Sequence, residues 1–364
     1  MLHETAENRS QALEVQRTGR RAAAQAPGTG GVTRPLARHA PASTRVRSWL
    51  QLPEVAIPLR GEPLSLDQTL TCGQAFRWRM VGEAIWEGIA GGRIWRLRID
   101  DGKLFARTAP LASESDVVRF LSGYFALDLP VREIQRAIAN AHPSASDAVA
   151  RFGGLRILRQ DPLETLLTFT IATATNVPRV TRSVAALCQR FGKPIAIVDG
   201  VEYRDFPTPS AIISAPFGEL FGPCNLAYRA RSIQTVAHAI QNHPPDWLEN
   251  LATLPYPDAH RTLDALPFLG PKVSDCICLF GLGLSEAVPV DVHVWAIAHE
   301  LFGEEIPTRT LTQKTYRRIG ERFRELFSLW AGWAQQYLFC ARRAIPINER
   351  FRPKLRDCVE RDSS

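Results

Sequence analysis

The most informative stretch of the sequence is Leu266-Pro-Phe-Leu-Gly-Pro-Lys-Val-Ser-Asp-Cys276. Gly270 and Pro271 are typical of a helix N-cap and first helical position, because proline has no N–H to lose there. Lys272 then falls in the first turn, where the helix dipole disfavours a cation. Such a lysine is either a solvated residue that pairs with Asp275 one turn on, or an amine that desolvation or nearby positive charge activates as a nucleophile.

A second informative stretch is Val288-Pro-Val-Asp-Val-His293, which begins another predicted helix. Asp291 precedes a periodic apolar run that ends at Gly303, so it is predicted to be an N-cap. Backbone N–H groups keep a carboxylate ionised at such a position. The two stretches together predict an amine and a carboxylate at the starts of two successive helices.

The net charge of +7 is concentrated near the N-terminus. Residues 1–50 contain eight arginines, no lysine and three glutamates, a balance of +5, so the rest of the chain carries only +2. The basic charge therefore gives little support to nucleic-acid binding by the folded part. The seven cysteines are scattered, which favours a reducing compartment. Their spacing predicts neither an iron–sulfur cluster nor a zinc site. No apolar stretch is long enough to predict a membrane span.

Turn residues and hydrophobic periodicity divide the chain into four parts. Residues 1–50 are rich in Ala, Arg, Gly and Pro and are predicted to form a disordered tail. Residues 51–145 contain short strand-like runs separated by glycine-containing turns, which predict an antiparallel β domain. Residues 146–345 show helical periodicity, and residues 346–364 are predicted to be a charged C-terminal tail. The fold class is therefore α+β.

With these motifs in place, the chain resembles the helix-hairpin-helix DNA glycosylases, and within them the 8-oxoguanine DNA glycosylase/AP lyases. The two stretches above match the family's Leu-Pro-x-x-Gly-x-Lys hairpin and its later Val-Pro-Val-Asp-Val-His. The other matching motifs, in the family's order, are Cys72-Gly-Gln-Ala-Phe-Arg-Trp78, Arg159-Gln-Asp-Pro162, Tyr228-Arg-Ala-Arg231 and Gly332-Trp-Ala-Gln335 followed by Phe339. The resemblance implies an N-terminal antiparallel β domain like the TATA-binding protein, followed by an all-α helix-hairpin-helix domain.

The resemblance also implies roles for single residues. Lys272 corresponds to the nucleophile that attacks the sugar C1′, and Asp291 to the carboxylate that supports this attack. The flipped base is expected to meet four residues: the carbonyl of Gly73 on its N7 proton, Gln335 on its Watson–Crick edge, Phe339 on its face and Cys276 as a wall. Taken singly, these four are equally well explained as a turn glycine, a surface glutamine, a core phenylalanine and a buried small hydrophobe.

Further residues match the family's DNA contacts, and two positions depart from its pattern. The matching residues are Arg179 and Arg229 for the base opposite the lesion, Tyr228 as a wedge in the stack, Gly270 and His293 for phosphates, and Asn176. His293 is otherwise explained as a surface histidine. Ala174 stands where the family reads the opposite cytosine with an asparagine, so one base contact is expected to be missing. Phe268 stands where the family has a hairpin glycine, which is strained if the position needs a positive φ.

The sequence thus predicts a bifunctional DNA glycosylase/AP lyase that removes 8-oxoguanine without a cofactor. Its expected partner is double-stranded DNA containing a damaged purine, and a monomer that touches no membrane is expected. Its expected location is the bacterial cytoplasm or nucleoid, or a eukaryotic nucleus. Two alternatives remain open: a monofunctional glycosylase for alkylated bases, against which Lys272 counts, and a non-catalytic DNA-binding relative, which Phe268 and Ala174 favour.

Overall fold

The structure is a computed structural model that describes residues 44–307 and 310–344. Buried side chains form one core behind a five-stranded sheet and a larger core among the helices of the second half. The predicted α+β class, a β domain followed by a helical domain, is confirmed. The predicted C-terminal tail and residues 1–43 of the predicted N-terminal tail lie outside the described residues.

Most of the described strands lie in the first half and most of the helices in the second, as the sequence predicts. The strands are β1 (Thr44–Val46), β2 (Val55–Pro58), β3 (Trp78–Gly82), β4 (Ile85–Ala90), β5 (Arg93–Asp100), β6 (Lys103–Ala109), β7 (Pro194–Val198) and β8 (Val201–Arg204). The helices of the first half and its junction are α1 (Leu66–Thr71), α2 (Glu114–Tyr124), α3 (Val131–Ala141) and α4 (Pro143–Arg151). The remaining helices are α5 (Pro162–Ile171), α6 (Val177–Phe191), α7 (Pro209–Ser214), α8 (Phe217–Phe221), α9 (Arg229–Gln241), α10 (Trp247–Leu251), α11 (Tyr256–Asp264), α12 (Pro271–Phe280), α13 (Val292–Phe302), α14 (Gln313–Phe327) and α15 (Ala331–Arg343).

The first half is an antiparallel sheet with the strand order β2-β6-β5-β4-β3. Helix α2 packs on this sheet through Phe120, whose ring stacks on Trp95 at a centroid distance of 5.1 Å. The turn between β4 and β5 approaches the same ring closely. At Gly91, where φ is +58°, a Cβ atom would lie 2.3 Å from Phe120, so only glycine fits.

A second, three-stranded sheet in the order β1-β7-β8 joins the two halves. The Asp199-Gly200 turn connects β7 to β8, and an Asp-Gly pair is a strong local signal for such a hairpin. Strand β1 pairs in parallel with β7, and Trp49 just after it is 2% exposed. The prediction that residues 1–50 are disordered is therefore wrong for residues 44–50. A strand of three residues and one buried tryptophan give too few positions for a hydrophobic pattern to be recognised next to an arginine-rich tail.

Helix α4 spans the predicted domain boundary between residues 145 and 146. Its buried residues Ala145 and Ala148 belong to the helical core, and the helix packs against α15. The helical domain therefore draws on residues before the predicted boundary. No break in composition marks this point, because α3 and α4 share the same amphipathic pattern.

The start of α12 lies beside α5, and the start of α13 lies beside the last helix. Helix α12 packs against α5 and α11, and α13 packs against α15. The two helix starts that carry Lys272 and Asp291 consequently lie near α5 and near the α15 face that carries Phe339. Within the described residues, no helix has the length and apolar character needed to cross a membrane.

Candidate active site

Lys272 lies in the first turn of α12, as predicted. Gly270 is the N-cap in an extended conformation and contributes no side-chain cap, and Pro271 is the first helical residue. The lysine is half-buried, and its Nζ lies 5.7 Å from the ring centroid of Phe169 on α5. An aromatic face can hold a cation while it excludes water. The lysine is thus fixed against an apolar wall.

Cys276 lies one turn after Lys272 on the same face of α12. Burial raises the pKa of its thiol to about 11, and a hydrogen bond and the positive charge of Lys272 only partly oppose this effect. The charge of Asp291 also acts on this thiol. The three groups therefore form one cluster, and the Cys276 thiol in it is neutral near pH 7. Its position is compatible with both explanations, a buried small hydrophobe and a wall of the base pocket.

The alternative in which Lys272 pairs with Asp275 on the surface is wrong. Asp275 is 1% exposed and faces the interior. Its Oδ1 accepts a hydrogen bond of 2.7 Å from the Tyr256 hydroxyl, and its Oδ2 accepts one from Tyr316. Both carboxylate oxygens accept hydrogen bonds from tyrosines, so Asp275 is not a surface partner of Lys272.

Asp291 is the N-cap of α13, as predicted. Its Oδ1 accepts hydrogen bonds from the backbone N–H of His293 at 2.9 Å and of Val294 at 3.0 Å. In the described part of the chain Oδ2 accepts no hydrogen bond. One carboxylate oxygen is therefore held by the start of α13.

The predicted base-pocket residues of α15 face the start of α13. Gln335 is 3% exposed, and its Oε1 has no hydrogen-bond partner among the described residues. A buried acceptor without a partner costs about 1–3 kcal/mol, which points to a ligand that supplies a donor. Phe339, one turn on, meets the ring of His293 edge to face at 5.9 Å, and the Arg343 guanidinium lies 5.4 Å from its centroid.

Gly73 lies close to the same end of α15. Its φ is +92°, and a Cβ atom added there would lie 3.6 Å from Nη1 of Arg343. The preceding carbonyl, of Cys72, accepts a hydrogen bond of 3.2 Å from Gln336. Gly73 is therefore a true positive-φ turn glycine, and the turn is fastened to the helix that carries Gln335 and Phe339.

Four of the predicted DNA-contacting residues, Asn176, Arg179, Tyr228 and Arg229, lie around the starts of α6 and α9. Tyr228 is 59% exposed, as a wedge must be, and it precedes α9. Arg229 behind it is 5% exposed and hydrogen-bonds backbone carbonyls of the loop before α6. Asn176 caps α6 by accepting from the N–H of Arg179 at 3.0 Å. Contact of these residues with DNA stays a prediction.

The two departures from the family pattern both have a positive φ, +50° at Ala174 and +61° at Phe268. Ala174 lies in the loop before α6, and Phe268 lies in the turn between α11 and α12 with 56% of its surface exposed. The strain expected at Phe268 is present because φ is positive there.

Three residues near the predicted site were not predicted from the sequence. Phe169 lies inside an apolar run on α5 that reads as core, and nothing in the pattern marks it as the wall under Lys272. Tyr316 belongs to an amphipathic helix far along the chain. Arg343 lies four residues after Phe339, and this helical spacing was the available signal. No group of three metal-ligating side chains occurs in residues 44–307 and 310–344.

Comparisons with known proteins agree with this arrangement. Residues 56–166 match the family described as 8-oxoguanine DNA glycosylase, N-terminal domain, and residues 170–323 match the HhH-GPD superfamily base excision DNA repair protein. The Arabidopsis thaliana N-glycosylase/DNA lyase OGG1 is 32% identical over 76% of this chain and 77% of its own length. The Saccharomyces cerevisiae N-glycosylase/DNA lyase is 28% identical over 76% and 82%.

A solved structure shows the same likeness. The Clostridium acetobutylicum 8-oxoguanine glycosylase/lyase, bound to double-stranded DNA with cytosine opposite 8-oxoguanine, superposes with a TM-score of 0.70 at 27% identity. The match covers 78% of this chain and 92% of that one. These matches show that the chain belongs to the 8-oxoguanine DNA glycosylase family of the HhH-GPD superfamily.

Proposed function

We propose that this protein excises 8-oxoguanine from duplex DNA and then cleaves the strand, with Lys272 as the nucleophile. The observation that carries the proposal is the half-buried amine of Lys272 over Phe169, in one cluster with the capped carboxylate of Asp291. Both groups lie near helix starts that face the pocket residues of α15. This is the arrangement that an amine attacking a sugar carbon requires.

The reaction begins when the deprotonated Nζ of Lys272 forms a bond to C1′ of the flipped nucleotide. The bond from C1′ to N9 breaks, and the base leaves with the electron pair and takes up a proton. Positive charge develops on the sugar during this step, and the carboxylate of Asp291 stabilises it electrostatically. Because Oδ1 is held by two backbone N–H groups, the carboxylate stays in place as the charge develops.

The strand is cleaved in a second stage that uses the same covalent bond. The ring of the sugar opens, which gives a Schiff base between Lys272 and C1′. Loss of a proton from C2′ then allows the 3′ phosphate to leave with its electron pair. Water finally adds to the imine and releases the free amine, so no metal or cofactor takes part.

Recognition of the base rests on two polar groups and one ring. The Gly73 carbonyl is the proposed acceptor for the N7 proton, which 8-oxoguanine has and guanine lacks. The partnerless Oε1 of Gln335 is the proposed acceptor for the Watson–Crick edge. A site built on such polar contacts rejects a base that leaves them unpaired. Phe339 supplies the stacking face.

The alternatives receive less support from the site. A monofunctional glycosylase for alkylated bases needs no nucleophilic amine, whereas Lys272 is held against Phe169 and Cys276. A non-catalytic relative has no use for an amine and a carboxylate in one cluster. Because the proposed substrate is DNA, we place the protein where DNA is held, in the cytoplasm and nucleoid of a bacterium or the nucleus of a eukaryote.

Borohydride trapping on a duplex with one 8-oxoguanine tests the proposal. Reduction of the Schiff base should link the protein to DNA, and Lys272→Gln should abolish this link and base release while DNA binding persists. Lys314 is a matched control, because it is exposed and occupies the same second position of its helix. Lys314→Gln should be trapped like the wild type. A covalent complex formed by Lys272→Gln, or none formed by the wild type, contradicts the proposal.

A further inference from the structure

The buried carboxylate of Asp275 lies on α12 three residues after Lys272. Burial raises its pKa, and the charge of His260 and the hydroxyls of Tyr316 and Tyr256 act in the opposite direction. Removing a carboxylate from water costs several kcal/mol, and a chain that is stabilised only by packing does better with an apolar residue there. The carboxylate therefore calls for an explanation other than stability.

The two oxygens of this carboxylate accept hydrogen bonds from two different helices. Tyr256, which donates to Oδ1 at 2.7 Å, begins α11, the first helix of the hairpin. Tyr316, which donates to Oδ2, comes from α14. The Tyr316 oxygen in turn accepts a hydrogen bond of 3.4 Å from the N–H of Val290, and it lies 3.3 Å from the carbonyl oxygen of Val288. Val290 is the residue before Asp291.

The contacts form a bridge from one helix start to the other. Asp275 lies on the same helix as Lys272, and Val290 is the residue before Asp291. A single tyrosine hydroxyl joins the two sides. In the described part of the chain Lys272 and Asp291 form no ion pair with each other, so their own charges do not set their separation. The bridge is the direct hydrogen-bonded connection between the two segments.

We propose that Asp275 and Tyr316 are positioning residues that fix the separation of Lys272 and Asp291. This inference rests on the proposed function of that pair. Neither residue touches the substrate: Tyr316 is 7% exposed and Asp275 1%. Their effect is geometric, and the attack on C1′ is sensitive to geometry, since a misplacement of about 1 Å can cost about 100-fold in rate.

Tyr316→Phe removes the bridging hydroxyl and keeps the ring. Under single-turnover conditions with saturating enzyme and an 8-oxoguanine duplex, we expect base release and borohydride trapping to slow by about 10- to 100-fold. The Kd for the duplex should stay within about threefold, because no DNA-contacting group is altered. A general loss of structure would instead raise Kd and lower the active fraction.

Tyr256→Phe and Tyr124→Phe are the matched controls. Tyr256→Phe removes a hydrogen bond to the same carboxylate but leaves the link to Val290 intact, so its rate should remain within about threefold of the wild type. Tyr124 is a buried tyrosine of α2 whose hydroxyl accepts from Trp78 at 2.9 Å, far from the bridge, and its removal should alter melting and not the rate. Equal slowing by Tyr256→Phe and Tyr316→Phe overturns the inference.

Asp275→Asn keeps the test decisive if Tyr316→Phe does not fold. The amide has the same shape and no charge, so it avoids the cost of a buried anion, but it weakens the hydrogen bond from Tyr316. Slower trapping at unchanged Kd supports the bridge, and an unchanged trapping rate overturns it. Failure of the wild type to trap at all would instead contradict the proposed function, so the two failures are distinct.

Discussion

The guanidinium of Arg229 donates two hydrogen bonds, of 2.8 and 2.6 Å, to the carbonyl oxygen of Thr173. A third, of 2.9 Å, goes to the carbonyl of Ala174, and the Tyr228 ring lies 4.3 Å from the guanidinium carbon. The arginine therefore supports the loop that should face the base opposite the lesion. These bonds occupy Nε and Nη2, so a contact to that base would come from Nη1.

Ala174→Asn should sharpen discrimination among bases opposite 8-oxoguanine. The asparagine restores a side chain able to reach the opposite cytosine, a contact of about 1–3 kcal/mol. The fold should accept it, because asparagine tolerates the positive φ of this position better than alanine does. Single-turnover excision rates opposite each of the four bases measure the effect. Ala174→Gly is the control, since it relieves the backbone without adding a contact, and sharpening by glycine would contradict the explanation.

Phe268→Gly should stabilise the hairpin and strengthen DNA binding. A positive φ costs a side-chain-bearing residue about 1–2 kcal/mol, and the exposed ring returns little burial. Urea unfolding and duplex Kd report the two effects. Phe268→Ala separates them, because it removes the ring near the phosphate but keeps the Cβ strain. A lower stability of the glycine variant would mean that the ring packs usefully.

Asp291→Asn should lower the excision rate strongly with little loss of stability. Asparagine caps a helix about as well as aspartate, so the bonds to His293 and Val294 can persist, but the negative charge is lost. Asp291→Ala should lose the charge and also about 0.5–2 kcal/mol of capping. Thermal melts run beside the kinetics distinguish these cases. Melting and rates equal to those of the wild type in both variants would show that Asp291 is neither a necessary cap nor a necessary charge.

The Cys276 thiol should resist alkylation near neutral pH. Burial raises its pKa to about 11, and only the thiolate reacts, so the rate should rise toward that pH and remain low at pH 7. Mass spectrometry of the peptide after iodoacetamide treatment gives the rate at each pH, and Cys276→Ser identifies the signal. Rapid labelling at pH 7 would indicate a thiolate stabilised by Lys272. Saturating damaged duplex should slow labelling further if the base covers this wall.

Deleting residues 1–43 should leave lesion excision nearly unchanged and weaken nonspecific DNA binding. This segment contains six arginines and three glutamates, a balance of +3, and phosphate neutralisation sets the slope of log K against log salt. A slope equal to that of the full chain would show that the segment does not touch DNA.

Deleting residues 1–50 should behave differently, because it also removes β1 and the buried Trp49. Loss of a buried tryptophan costs roughly 3–5 kcal/mol, so melting should fall even where excision persists. Equal melting of the two deletions would contradict the packing of this tryptophan, over whose ring Arg96 lies at 4.7 Å.

Local patterns predicted the parts of the site that depend on helix starts. A Gly-Pro pair and a Val-Pro-Val-Asp stretch were enough to place Lys272 and Asp291 in first turns and caps, because caps are determined within a few residues. The base-pocket assignment came from resemblance, and the buried amide oxygen of Gln335, which has no partner among the described residues, gives it independent support. The same local logic failed for Asp275, since helical spacing alone does not show which face is buried.

Contacts between residues that are distant in the sequence could not be predicted from local patterns. Tyr316 meets Asp275 across 41 positions, and no periodicity within either helix signals that pairing. The side on which Arg229 points depends on the loop at Thr173, which belongs to another helix start. Short elements such as β1 have too few residues for a recognisable pattern. The composition of residues 1–50 therefore placed β1 in the predicted disordered tail.

The parallel pairing of β1 with β7 also determines the order in which the chain can assemble during translation. The five-stranded sheet is complete in sequence at Ala109, so it can form while the helical half is still being made. Thr44 must wait for Ala196, a separation of about 150 residues, and such distant pairings form slowly. Strand β1, the first of the described strands to leave the ribosome, is thus among the last to pair. Until β7 has been made, β1 has no partner strand, so a nascent chain stalled between these points carries an unpaired strand, which favours aggregation.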